Sequence, residues 1–180
     1  MTATTDLTLH ESARWLAGRV WLEERTFELL VGFGGVEPDP AAKILLASQA
    51  RHHADHADRL GELLPTTHDL DGPGLVASPD PGLPRLLDDL RGLAAPEETP
   101  VRLAAVYAVW LPALERGYRA RLDRASPYVD AALRRVLAAV VAQAQADLAQ
   151  SGPVIAEAGR LGSEVTRDLA ARLAAVGGLA

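Results

Sequence analysis

Between Ala41 and Leu64 this chain places Gln49, His53 and His56 on one helical face with Ala42, Leu45, Leu46, Leu60 and Leu64. At roughly 100° per residue these positions fall in a single arc, whereas Lys43, Arg51, Asp55, Asp58 and Glu62 fall opposite. Two imidazoles and an amide turned toward a core are expensive to bury unless they have partners or work to do. Other segments repeat the pattern. Over residues 9–31 an apolar arc of Ala13, Leu16, Ala17, Val20, Phe27 and Val31 has Glu24 near its centre, with Glu23 and Glu28 at its margins. Over 100–124, Glu115 lies among Ala104, Leu111, Tyr118 and Leu122, with Tyr107 close by. Over 127–150, Val129, Ala132, Val136 and Val140 lead to Gln143, Ala144 and Asp147.

Burial without a partner shifts carboxylates up and imidazoles down, toward the neutral forms that suit proton transfer near neutral pH. Glu24, His53, His56 and Glu115 are therefore the candidate catalytic groups. Gln49, Tyr107, Tyr118, Gln143 and Asp147 are the candidates for orienting a substrate or stabilising developing charge. The competing expectation is structural: a carboxylate on an apolar stripe is commonly paired with an arginine, and a core histidine is commonly just hydrogen-bonded. His52 lies at the edge of its arc, while His10 and His68 lie off the bundle faces. Trp15 reads as external and Trp21 and Trp110 as marginal, positions that would suit a dimer contact.

Helices must position these groups, and their starts are legible. Thr8 with Glu11 forms a capping-box pattern. Asp39-Pro40, Thr99-Pro100 and Ser126-Pro127 each set a side-chain acceptor before a proline suited to the first helical position. The spacing predicts helices over 9–31, 40–64, 100–124 and 127–150, and a fifth over 154–176 after Ser151-Gly152-Pro153. No segment alternates with the period of a strand, so strands are not expected. A proline- and glycine-rich connection, residues 65–84, separates the second and third long helices and is followed by a short amphipathic stretch over 85–93.

The chain has 180 residues, the size of a single domain (1–180) able to bury its own core. It has no cysteine, which excludes disulfides and thiolate ligation. A net charge of −6 and scattered arginines argue against a nucleic-acid partner. No apolar run is long enough to span a bilayer, and the first residues lack a signal-sequence pattern, so no membrane partner is expected and the expected location is cytoplasmic. The abundance of alanine, arginine, leucine and glycine is that of a GC-rich bacterial genome.

The layout over residues 9–150 resembles the ferritin-like superfamily: two helical hairpins joined by one long crossover. In the family's di-iron pattern two helices each give a glutamate and two each give Glu-x-x-His. Glu24 and Glu115 match the single glutamates, but Gln49-Ala50-Arg51-His52 and Gln143-Ala144-Gln145-Ala146 stand where Glu-x-x-His belongs. Neutral amides cannot supply the bridging charge of two irons. The resemblance thus implies an all-α, ferritin-like four-helix bundle with a long crossover between helices 2 and 3, an additional C-terminal helix and a degenerate site. The expected activity is a biosynthetic or metabolic enzyme doing acid–base, cyclase- or isomerase-type chemistry on a small organic molecule in the bundle cavity, without a cofactor. A metal-free scaffold or partner subunit, alone or as a homodimer, is the alternative. A second alternative is a mononuclear oxidase holding one Fe, Mn or Zn ion with Glu24, His52, His53, His56 and Glu115 as the available ligands.

Overall fold

The computed structural model describes residues 7–152, 163–176 and 179 of the chain. They form a helical bundle. Helix α1 (Leu9–Val36) opens at Thr8, whose hydroxyl accepts from the Glu11 amide while the Glu11 carboxylate accepts from the Thr8 amide at 2.8 Å. The reciprocal pair satisfies two donors that a helix start would otherwise leave exposed. Helix α2 (Pro40–Gly61) begins at Asp39, which accepts from the Ala42 amide at 2.7 Å. The short link between them folds α1 and α2 into a hairpin with the most extensive helix–helix packing among the described residues.

The crossover then carries a two-residue hairpin, β1 (Thr66–Thr67) paired antiparallel with β2 (Leu70–Asp71), which the absence of alternation did not predict. Gly72 closes it, since a Cβ there would lie 2.4 Å from the Pro65 carbonyl oxygen. Helix α3 (Leu83–Arg91) buries Leu83, Leu86, Leu87 and Leu90 against α1 and against α7 (Ser163–Ala175). The residues of the expected last helix before 163 lie outside the described residues.

The third long helix is interrupted. It runs as α4 (Thr99–Ala104), a π-helical segment (Ala105–Trp110) and α5 (Leu111–Arg124). Pro112 is the cause. It has no amide hydrogen to donate, and its ring crowds the carbonyl one turn back, so the preceding turn widens. The Leu111 amide accordingly reaches back five residues, to the Val106 carbonyl. Helix α6 (Ala131–Gln150) starts later than Ser126-Pro127 predicts. The Ser126 hydroxyl instead caps a turn, accepting from the amides of Tyr128 and Val129, and the Asp130 carboxylate accepts from the Ser126 amide.

Helix α2 buries the expected face: Ala42, Leu46, Gln49, His53, His56 and Leu60. The faces of α1 and α6 are rotated from expectation. In α1 the stripe runs through Leu16, Val20, Glu23, Thr26, Leu30 and Phe33, leaving Phe27 and Val31 exposed. In α6 it runs through Leu133, Leu137, Val140 and Asp147, leaving Val129 and Ala132 in solvent. Trp110 is fully enclosed and donates to the Thr26 hydroxyl at 3.0 Å, so it has no surface to offer a partner. A fully buried ion pair, Glu37 with Arg102 at 2.8 Å, fastens the end of α1 to α4.

Candidate metal centre

The side chain at the centre of α1's inner face is Glu23. Glu24, one residue and 100° further round, has its side chain 43% exposed and its carboxylate 3.6 Å from Arg25. Glu23 is 0% exposed and is held from two helices. Its Oε2 meets His53 Nδ1 at 2.6 Å and stands 3.5 Å from His56 Nδ1. Its Oε1 accepts a very short hydrogen bond from the Tyr118 hydroxyl of α5. His53 and His56 share a face of α2 because three residues is nearly one turn, and their rings stand edge to face at 5.7 Å.

Burial pushes the Glu23 carboxyl up, but the charge and hydrogen bond of His53, then the nearness of His56, prevail and hold it well below the ordinary carboxylate range. Tyr118 moves the other way, raised well above the phenol range by burial and by the Glu23 charge. It therefore stays a donor. His56 Nδ1 has no hydrogen-bond partner, a buried nitrogen aimed at a carboxylate without bonding it.

These three groups are the one His/Glu cluster among the described residues whose donor atoms converge, all within 4.8 Å of one another. A metal at about 2.0–2.2 Å from nitrogen and oxygen ligands places them about 3.3 Å apart in tetrahedral geometry, a spacing bracketed by the 2.6 and 3.5 Å separations of Glu23 from His53 and His56. Beside them is a cavity of about 10 Å³ walled also by Tyr118, Leu114, Val140, Ala144 and Asp147. That is room for one water or a single ion. That volume is well below the size of an organic substrate.

The remaining candidates form a second network between α2 and α6. Asp147, nearly buried, accepts from His52 with both oxygens 3.0 Å from Nδ1 and from Gln143 Nε2 at 3.0 Å. Gln49 Nε2 donates to the Asp147 carbonyl at 3.0 Å, while its Oε1 is left without a partner. The Tyr107 hydroxyl in the π segment is likewise buried without a partner, its acidity suppressed by burial and then by the Asp147 charge. Glu115 joins neither cluster: Arg119, one turn away, and Gln145 of α6 occupy its Oε1. His10 and His68 are on the surface.

The sequence carried a signal for Glu23 that the choice of Glu24 overlooked. Glu23 lies seven residues from both Leu16 and Leu30 and three from Val20, the spacing of a packed seam, whereas centring on Glu24 required Phe27 and Val31 to be inside. Compared with family models, with curated proteins and with solved structures, the chain matches none.

Proposed function

We propose that this chain is a ferritin-like bundle protein with a degenerate di-iron site that binds one divalent transition-metal cation through Glu23, His53 and His56. The observation that carries the reading is the convergence of three buried donor groups beside an ion-sized cavity. The helical hairpin of α1 and α2, the long crossover and the packing of α5 on α6 support the ferritin-like layout. The residues that stand where the two Glu-x-x-His motifs would complete a di-iron set support a single ion instead, because His52 and Gln143 are bonded to the Asp147 carboxylate and Gln49 Nε2 to its carbonyl.

Two imidazoles and one carboxylate suit iron(II), manganese or zinc and leave coordination positions open. Such an ion supplies Lewis-acid or redox activation of a ligand no larger than water or dioxygen, the size the cavity admits. The chain's own part is definite. Tyr118 holds Glu23 Oε1 and leaves Oε2 directed at the histidines. Leu111, Leu114 and Val140 supply the apolar part of the wall.

A second reading is acid–base chemistry without a metal, and the continuous Tyr118–Glu23–His53 hydrogen-bonded chain favours it. Elemental analysis and calorimetric titration with Fe(II), Mn(II) and Zn(II) separate the two. One ion per chain, lost in Glu23→Gln and in His53→Ala but retained in Glu24→Gln, is the expected result. Failure of the folded wild-type protein to bind any of the three ions refutes the metal reading and leaves the proton-transfer chain as the function of the site.

A further inference from the structure

Asp147 has a place in both polar clusters. It borders the small cavity beside Glu23, His53 and His56, and its carboxylate is bonded to His52 across the α2–α6 seam. At that seam the helices pack far less extensively than α1 and α2 do. Elsewhere the cavity is walled by apolar side chains of α5 and α6 and by Tyr118, which is buried. The His52 side chain is 21% exposed, against 7% for those of His53 and His56. Polar groups therefore run from the cavity wall to solvent through Asp147 and His52.

Both members of that pair keep coordinating capacity free. Asp147 Oδ1 accepts from His52 and Gln143, whereas Oδ2 meets His52 alone, at 3.0 Å. A carboxylate oxygen has two lone-pair directions, so Oδ2 can take a cation without giving up that bond. His52 uses only Nδ1, and among the described residues nothing bonds its Nε2. A divalent cation entering a protein interior must shed water, and each water lost without a replacement ligand raises the barrier. An imidazole near the surface and a carboxylate at the cavity wall replace that water in two steps, the second with a charge that a low dielectric strengthens. We propose that His52 and Asp147 are the entry relay of the metal centre. His52 Nε2 takes a divalent transition-metal cation from solvent, and Asp147 passes it to Glu23, His53 and His56, whose three donors hold it more firmly than the relay's two. This rests on the metal-site reading above.

Stopped-flow mixing of the metal-free chain with cobalt(II) at fixed pH times uptake through the visible absorption of the bound ion, and transfer into excess EDTA times release. His52→Asn is the discriminating variant, because its amide nitrogen takes the place of Nδ1 and keeps the bond to Asp147 while Nε2 is gone. It should still bind one cobalt per chain with an unchanged dissociation constant. Uptake and release should both slow roughly ten-fold, because a waypoint lowers the barrier in both directions without touching the bound state. Asp147→Asn should slow uptake at least as much; the His52 variants, at a partly exposed position, decide the matter even if that chain fails to fold. Uptake at the wild-type rate in His52→Asn overturns the relay while leaving the metal site standing. Faster uptake in His52→Ala means that the side chain plugs the seam instead of passing the ion, and overturns it equally. Slowing by Glu24→Gln as large as by His52→Asn reduces the effect to general surface properties and also overturns it. A wild-type chain that takes up no cobalt overturns the metal reading, and the relay with it.

Discussion

Glu23 is a buried carboxylate kept charged by its neighbours, and that has a consequence for the fold as well as for the site. A carboxyl held below its unfolded value stabilises the native state above the ordinary glutamate pKa of about 4.3, and that contribution is lost as pH falls toward the folded value. Glu23→Gln should therefore be less stable at neutral pH by about 3–5 kcal/mol, because His53 loses its charged partner. Between about pH 4 and 3 the variant should lose less further stability than wild type. Urea midpoints measured across that range check both statements. An acid limb as steep in the variant as in wild type would assign the depressed ionisation to another carboxylate.

At the scale of elements, α2 is the rigid part of the site and the third long helix is the adjusted part. Helix α2 brings His53 and His56 to Glu23 simply by its period, and Asp39 fixes where that period starts. Asp39→Ala removes the cap and should lower stability by about 1 kcal/mol without changing metal stoichiometry. In the third helix, the wide turn before Pro112 seats Trp110 against Thr26 and Tyr107 in the core, while α5 beyond it delivers Tyr118 to Glu23. The third helix is fastened to the end of α1 by Glu37 with Arg102, whose guanidinium also donates to the Leu93 carbonyl and to Thr99 Oγ1. Glu37→Gln strands a buried cation, with an expected loss of about 3–5 kcal/mol in chemical denaturation. A loss under about 1 kcal/mol would mean that the remaining acceptors alone satisfy Arg102.

For the whole molecule, a cation that binds only the folded bundle must stabilise it. At a free cation concentration 100 times the dissociation constant the gain is about 2.7 kcal/mol, a rise of roughly 5–10 °C in midpoint for a domain of this size. Calorimetric scans should show that rise for wild type and for Glu24→Gln, and none for His56→Ala. No helix among the described residues is long and apolar enough to cross a membrane.

The sequence by itself determined that the chain is helical, where its long helices lie and which face of α2 turns inward. Those properties are local: caps and prolines set the ends, and the 3.6-residue period sets the face. It also singled out His53 and His56, because no rotation of that face excludes them. Tertiary structure decided what local pattern leaves degenerate. Glu23 and Glu24 are adjacent on a helix whose apolar residues wrap broadly enough to admit either, and only packing against α2 and α5 chose Glu23. Glu115 and Asp147 look alike on their helices, yet one is taken by Arg119 and Gln145 while the other meets His52 and borders the cavity. The close approach of the Leu179 carbonyl to Gly117 has no local signal at all, since the two positions come together only when the bundle closes. Period and capping are written within a few residues of the chain; the choice of partner for a buried charge depends on every helix that packs around it.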